Sequence, residues 1–175
     1  MKVLIFSDSH NTTYYMTKII EIYINQIDVI IHLGDCIEDL DVIKEDCKIP
    51  VYQVKGNNDR FDFYPLVQIT SICGVKFYLT HGHKERVYYD TDTIFMNAMR
   101  EECSVALFGH THAIHMELYS DILIINPGSI SYPRDGARKT FAIVDVIGPN
   151  EISAEIYGYE NNIIQILKSQ KLKTQ

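Results

Sequence analysis

Phe108-Gly109-His110-Thr111-His112 directly follows the short apolar run Val105-Ala106-Leu107. In extended backbone, alternate side chains point to the same face, so two histidines separated by one residue can converge on one point after a strand. Imidazole nitrogens are common metal ligands, and the pair therefore indicates a metal site. Taken alone, a His-x-His pair is as readily two solvated surface imidazoles, so this interpretation depends on the rest of the chain.

Four further apolar runs end in polar residues of the same kind. The residues that follow these predicted strands are carboxylates, imidazoles and amides, namely Asp8 and His10, Asp35, Asn57 to Asp59, and His81 and His83. In open α/β sheets, ligands bind outside the carboxyl ends of the strands. The ordered repetition therefore predicts that all five strand ends meet at one edge of the fold.

The predicted edge requires positive charge. At least two carboxylates would crowd there, and their mutual repulsion must be offset. Lys55 and Arg60 are the nearest basic residues, so divalent metals are the natural counter-charge. Mixed oxygen and nitrogen ligands suit manganese, iron, zinc or nickel. The ligands suffice for two ions with one bridging carboxylate, and two metals roughly 3.5–4 Å apart clamp a phosphoryl group and activate water.

The pattern of apolar runs predicts an α/β fold. The first half alternates strands and helices, which implies a parallel sheet with right-handed crossovers. The second half is richer in hairpins, which predicts a second, more antiparallel sheet packed on the first. Helices are predicted outside the sheets, from Thr12 or Thr13 to about Tyr23, from Ile37 to Asp46, and from Thr91 or Asp92 to about Glu102. The tail after about residue 158 gives no clear pattern, and its polar end after Leu167 is expected to be frayed.

Length and composition limit the class of protein. The 175 residues, 46% of them hydrophobic, fit a single domain spanning residues 1–175. A net charge of -7 argues against a nucleic-acid-coating surface or a basic membrane patch. The four scattered cysteines are typical of reduced thiols in a cytoplasmic protein. We expect no signal peptide, because the apolar run from Val3 to Phe6 meets the charged Asp8 almost at once. We expect no membrane span, because no apolar run approaches the roughly 20 residues needed.

Taken in order, these motifs resemble the calcineurin-like metallophosphoesterase superfamily, and most of all its small bacterial and archaeal phosphodiesterases. The resemblance covers most of the chain and implies a four-layer α/β/β/α sandwich. It rests on Asp8-x-His10, Gly34-Asp35, Gly56-Asn57-Asn58-Asp59, Thr80-His81-Gly82-His83, Gly109-His110-Thr111-His112, and Asn126-Pro127-Gly128-Ser129 with the following Pro133-Arg134.

The resemblance also implies a binuclear metal centre. Its cofactors would be two divalent transition-metal ions, manganese in the first place, with nickel, iron, zinc and cobalt as alternatives. A bridging hydroxide would attack phosphorus in line with the leaving group, and the metals would offset the charge of the transition state. The implied ligands form two sets joined by one carboxylate: Asp8, His10 and His112 for the first metal, Asn57, His81 and His110 for the second, and Asp35 between them.

Two residues depart from the family pattern. Many relatives have His at the position of Asn58, thought to protonate the leaving oxygen, with the following acid, here Asp59, orienting it. An amide cannot be a general acid at neutral pH, so we predict weaker activity on poor alkoxide leaving groups than on aryl or nucleotide ones. His83 could substitute if it reaches the leaving group. Asn11 stands where relatives often have Gly, and the turn is expected to be kept because Asn tolerates left-handed backbone.

Three functions fit these features. The leading one is a phosphodiesterase acting on a small phosphodiester or nucleotide-like substrate. The second is a non-catalytic scaffold, as in the small retromer subunit that keeps this fold with an altered metal set. The third is a phosphomonoesterase or nucleotide pyrophosphohydrolase using the same site. The complete ligand set favours catalysis, whereas Asn58 keeps the scaffold in consideration. Since relatives are often oligomeric, a homodimer or homotetramer is a further expectation.

Other residues have open or structural interpretations. His32 and His115 match no motif, and we interpret both as structural. Arg134 could contact the substrate phosphate or form a surface salt bridge. Tyrosines such as Tyr15 and Tyr88 could line a cleft, although packing is the better default for this residue type.

Overall fold

The computed structural model describes residues 1–41, 48–60, 62–136 and 138–173. Its α-helices are α1 (Thr13–Tyr23) and α2 (Asp92–Arg100), and a 3-10 helix covers Ile37–Leu40. The strands are β1 (Lys2–Phe6), β2 (Val29–His32), β3 (Val51–Gln53), β4 (Val67–Ile72), β5 (Val75–Thr80), β6 (Val105–Leu107), β7 (Ile114–Tyr119), β8 (Ile122–Pro127), β9 (Lys139–Gly148), β10 (Glu151–Glu160) and β11 (Ile163–Lys173).

The strands form two mixed sheets, as predicted. The first has six strands in the order β11-β10-β9-β1-β2-β3, and the second has five in the order β4-β5-β6-β8-β7. β1 pairs parallel with β2 and antiparallel with β9. β6 lies parallel to both β5 and β8. The carboxyl ends of β1, β2, β5 and β6 therefore lie side by side within their sheets.

Alternation along β1 shows how the layers are packed. Val3 and Ile5 are buried in the core between the two sheets, whereas Leu4 and Phe6 pack in a second cluster that contains residues of α1. On the outer face of the five-stranded sheet, Ile94 of α2 packs in a third cluster with residues of β5, β6 and β8. Each sheet is thus covered on both faces, and the predicted four-layer α/β/β/α sandwich is confirmed.

The prediction that the chain is frayed after Leu167 is wrong. β11 pairs with β10 over its whole length, and Leu172, only 2% exposed, belongs to the core between the sheets. The apolar signal is weak because β11 is an edge strand whose other side chains are exposed or half-buried.

The predicted helices differ in detail. Of the helix expected from Ile37 to Asp46, the structure shows a 3-10 helix to Leu40, and residues 42–47 lie outside the described residues. Thr12 and Thr91 precede α1 and α2 as predicted, but neither side chain forms a capping hydrogen bond. In the described ranges, no helix is both long and apolar enough to cross a membrane.

Candidate metal centre

The predicted site residues meet where the two sheets lie against each other. In the six-stranded sheet, Asp8 lies in the loop after β1 and Asp35 in the loop after β2. In the five-stranded sheet, His81 directly follows β5 and His110 lies in the loop after β6. Backbone hydrogen bonds join neighbouring loops, from Asp8 N to the Gly34 carbonyl at 3.0 Å and from Gly109 N to the His81 carbonyl at 3.1 Å. Each sheet therefore contributes half of the candidate centre.

Four predicted ligands form one tight cluster. The ligand atoms of Asp8, His10, Asp35 and His112 all lie within 4.8 Å of one another. His112 Nε2 is 3.2 Å from Asp8 Oδ1 and 3.2 Å from His10 Nε2. His10 Nε2 is 3.6 Å from Asp35 Oδ2. This group contains the predicted first set together with the predicted bridging carboxylate.

The remaining predicted ligands adjoin this cluster to different degrees. His81 Nε2 lies 3.4 Å from Asp35 Oδ1 and 3.9 Å from Asp8 Oδ1. The His110 ring packs edge-on against that of His81, with centroids 5.1 Å apart. Asn57 is exposed and lines a neighbouring cleft that also contains His83. The side chains of the second predicted ligand set therefore lie farther from one another than those of the first.

The loops that carry the ligands have unusual backbone conformations. Residues other than glycine rarely adopt positive φ, and such backbone strain is concentrated at functional sites. Asn11 has a φ of 63°, which confirms the predicted turn. The five ligands with φ between 46° and 68° are Asp8, His10, Asp35, His110 and His112.

Close packing explains the glycine of the opening motif. A Cβ atom at Gly109 would lie 1.9 Å from Ser7 Oγ and 2.9 Å from Asp8 Oδ2. Ser7 Oγ in turn donates a hydrogen bond to Asp8 Oδ2 at 2.6 Å, and His110 N donates to the same oxygen at 3.1 Å. Glycine at 109 therefore allows the two sheets to share the Asp8 carboxylate.

Backbone carbonyls orient two of the imidazoles. His112 Nδ1 lies 2.8 Å from the Tyr132 carbonyl and His81 Nδ1 lies 2.6 Å from the Leu33 carbonyl. A carbonyl can only accept, so each Nδ1 carries the proton. In the neutral ring, Nε2 then presents a lone pair toward the carboxylates, as metal-ligating histidines do.

Further polar residues support the centre without having been predicted as site residues. Ser129 Oγ and Ser131 Oγ each donate to the Asp8 carbonyl at 2.8 Å. Asn126 Nδ2 donates to the Gly109 carbonyl at 2.8 Å and to Thr111 Oγ1 at 3.0 Å. The Asn126-Pro127-Gly128-Ser129 motif was the available signal, but a motif does not reveal which backbone atoms its side chains reach.

The residues present fit a divalent cation. Asp8 Oδ1 and His81 Nε2 are buried, and neither has a hydrogen-bond partner among the described residues. An unsatisfied buried carboxylate oxygen is costly unless a cation or proton compensates it. Carboxylate oxygens and imidazole nitrogens together are a donor set for transition metals. The candidate centre is therefore chemically complete only with added positive charge.

The pKa values of the carboxylates and imidazoles in the centre reflect the need for positive charge. Burial disfavours ionisation of Asp8, but the imidazoles of His112 and His81 outweigh it and hold the pKa of this carboxyl below its ordinary value. Burial would lower the pKa of His81, yet Asp35 and Asp8 raise it. The pKa of His112 is raised in the same way, because Asp8 outweighs burial. Protons thus compete with metals for the imidazoles.

Asn58 and Asp59 have partners that the sequence did not indicate. Asn58 Nδ2 donates to Asp35 Oδ2 at 2.6 Å, and Asn58 N donates to Asp35 Oδ1 at 2.9 Å. The Asp59 carboxylate accepts hydrogen bonds from the backbone N–H groups of residues 35, 36, 37 and 56. Asn58 therefore contacts the predicted bridging carboxylate, while Asp59 shapes the loops around it.

The two histidines outside the motifs lie beside the centre rather than in it. His32 is fully buried, its Nδ1 accepts from Gly34 N at 3.2 Å, and its Nε2 lies 3.0 Å from Ser9 Oγ. His115 packs near Phe108, with ring centroids 5.8 Å apart, and its Nε2 lies 3.3 Å from Glu117. Both positions agree with the structural interpretation.

Sequence relatives point to the same chemistry. A sequence model of the calcineurin-like phosphoesterase superfamily domain matches residues 1–148. The chain is 28% identical to probable metallophosphoesterase YsnB of Bacillus subtilis, over 97% of this chain and 98% of that protein. It is 31% identical to a phosphodiesterase of Methanocaldococcus jannaschii, over 73% of this chain and 83% of that protein.

Solved structures show the same fold. A predicted phosphoesterase from Streptococcus pneumoniae superposes with a TM-score of 0.78 at 24% identity, over 99% of this chain and 97% of the other. Vacuolar protein sorting 29 of Cryptosporidium parvum superposes with a TM-score of 0.82 at 18% identity, over 99% and 98%. The family match over residues 1–148 establishes that the chain belongs to the calcineurin-like phosphoesterase superfamily.

Proposed function

We propose that the protein is a binuclear metal-dependent phosphodiesterase. The observation that carries the proposal is the cluster of Asp8, His10, Asp35 and His112, within which Asp8 Oδ1 is buried and has no hydrogen-bond partner among the residues that the structure describes. These four residues would hold the first metal. His81, His110 and Asn57 would hold the second, with Asp35 shared. The metals, when bound, supply charge stabilisation for the phosphoryl group and an activated water.

Residues around the cluster have separate tasks. Asn58 holds the Asp35 carboxylate through two hydrogen bonds and so fixes the predicted bridging ligand. His83 is a weak candidate for proton donation, because burial lowers its pKa and leaves the ring mainly neutral at pH 7. Substrates whose leaving group departs without protonation are therefore favoured, which supports aryl phosphodiesters over alkyl ones.

A paired assay tests the proposal. Protein loaded with manganese, nickel or cobalt is given bis(p-nitrophenyl) phosphate and p-nitrophenyl phosphate, and release of p-nitrophenol is measured. We expect turnover of the diester to exceed that of the monoester and to be lost in His112→Ala. His115→Ala serves as the control, because it removes an imidazole outside the cluster and should retain activity.

Two results would reject the proposal. Preference for the monoester would favour a phosphomonoesterase. Turnover of neither substrate with any of the three metals would favour the scaffold function.

A further inference from the structure

A cleft of about 720 Å³ opens directly beside His10 and His112. Residues 131–134, 136 and 139 form much of its wall. The lining residues are His10, Asn11, His112, Ser131, Tyr132, Pro133, Arg134, Gly136 and Lys139. Two of these carry a full positive charge and none is acidic, although the chain as a whole has a net charge of -7. The lining of the cleft is therefore positive in an acidic protein, and the carboxylates of Asp8 and Asp35 lie behind its two histidines.

Arg134 is held at the edge of the candidate centre. Its backbone N donates to the His112 carbonyl at 2.9 Å. Its Nη1 donates to the Tyr88 hydroxyl, which donates to the His110 carbonyl at 3.0 Å. In the described part of the chain, no carboxylate lies within 4 Å of the guanidinium, so the alternative of a surface salt bridge finds no support there. The Asp135 carboxylate instead accepts from Ile114 N at 2.6 Å.

Lys139 is the second fixed cation of the cleft. Its Nζ donates to the Ser131 carbonyl and lies 5.4 Å from the centroid of the Tyr15 ring. The Ser131 hydroxyl binds the Asp8 carbonyl, so Lys139 is tied to the loop that carries a predicted metal ligand. The side chain is half-buried, and none of the described residues places a carboxylate within 4 Å of Nζ. Its charge is available to a ligand.

We propose that this cleft binds a second anionic group of the substrate, a phosphate, phosphonate or carboxylate carried on the ester arm beside the scissile phosphate. The inference rests on the proposed function, since it places the scissile phosphate at the adjacent cluster. Guanidinium groups recognise such anions through paired charge-assisted hydrogen bonds, and an ammonium adds a point charge. The substrate class is thus a phosphodiester with an additional negative charge, rather than one with a neutral arm.

Matched substrates test this subsite. Two p-nitrophenyl phosphodiesters share the leaving group and differ in the other arm, which is 2-phosphonoethyl in one and its neutral dimethyl ester in the other. We expect kcat/KM to favour the phosphonate roughly tenfold or more, mainly through KM, since each charge-assisted hydrogen bond contributes a factor of this order. Arg134→Gln and Lys139→Gln should each reduce this preference. Arg138→Gln is the control, because Arg138 pairs with Glu160 at 3.5 Å and does not line this cleft.

Binding to the metal-free protein provides a readout that does not require catalysis. Calorimetric titration with inorganic phosphate should detect a site that weakens in Arg134→Gln and Lys139→Gln and not in Arg138→Gln. Equal kcat/KM for both diesters in the wild-type enzyme would overturn the subsite and leave the proposed function standing. If neither diester is hydrolysed, phosphate binding that depends on Arg134 and Lys139 still supports the anion site, and its absence overturns it.

Discussion

His112 Nε2 lies 3.2 Å from Asp8 Oδ1. His112 lies in a loop of the five-stranded sheet and Asp8 in a loop of the six-stranded sheet, so this contact joins the two sheets. His110, two residues earlier, packs instead against His81 with ring centroids 5.1 Å apart. The two histidines of one short motif therefore contact different predicted ligand sets.

Single substitutions should separate the two predicted ligand sets. His112→Ala is expected to lose mainly the metal held with Asp8 and His10, and His110→Ala mainly the metal held with His81 and Asn57. Metal content per chain, measured by mass spectrometry after gel filtration, checks both expectations. If either variant keeps two metals at full occupancy, the division of ligands is wrong.

Asn58→His should raise turnover of an alkyl phosphodiester. A histidine there could protonate the leaving oxygen, and general acid catalysis is typically worth about 10²–10⁴-fold. We expect a gain toward the lower end, because the change also removes the hydrogen bond from Asn58 Nδ2 to Asp35 Oδ2. Initial rates on an alkyl diester and an aryl diester measure the effect. Asn58→Ala is the control and should show no gain. An unchanged alkyl rate with both metals bound would contradict the assignment.

Leu172→Ala should destabilise the fold, even though it lies in the polar tail. The side chain is 2% exposed in the core between the sheets, and truncation of a buried leucine costs about 2–5 kcal/mol. Ile166→Ala in the same strand is the matched control, because that side chain is 50% exposed and should cost much less. Urea denaturation gives both values. Equal losses would mean that burial along β11 does not determine its contribution.

His32 should make the metal-free protein less stable in mild acid. Burial, the largest contribution, lowers the pKa of His32 from 6.5 to about 4. Between these pH values the unfolded chain binds a proton that the folded chain does not, so this stabilisation is complete above pH 6.5 and is lost as pH falls to 4. The difference corresponds to about 3 kcal/mol.

His32→Gln isolates that contribution. The free energy of unfolding is measured by denaturant titration from pH 7 to pH 4 with a chelator present, in the variant and the wild type. Carboxylates and the other histidines titrate in both proteins, so the difference in slope reports the titration of His32 together with its electrostatic coupling to Asp8, Asp35, Asp59 and His81. Parallel curves would show that His32 is not the neutral buried group described above.

The sequence could predict the site better than it could predict the elements far from it. Strand ends such as Asp8 and His110 follow strongly apolar runs, so their approximate positions follow from sheet topology. β11 has no such signal, because an edge strand with mostly exposed side chains needs few apolar residues. What fixes β11 is pairing with β10, a long-range contact that local pattern does not encode.

The supporting contacts of the site were equally hidden. Ser7 and Asn126 are fully buried and hydrogen-bond to residues of the centre. Nothing in the sequence indicates the contact of Ser7, and the motif that contains Asn126 does not reveal which atoms its side chain reaches. The positive φ of Asp8 and Asp35 likewise depends on the loops that close around them. Residue type predicts chemistry, whereas orientation depends on the assembled loops.

The division of ligands between the two sheets has a consequence for folding. Metal bound between Asp8 of one sheet and His112 of the other would act as a non-covalent crosslink at one edge of the core. Because a ligand that binds only the folded state stabilises it by mass action, metal concentration would set the melting temperature of the whole domain. Metal supply would then govern how long the protein survives as well as how fast it works.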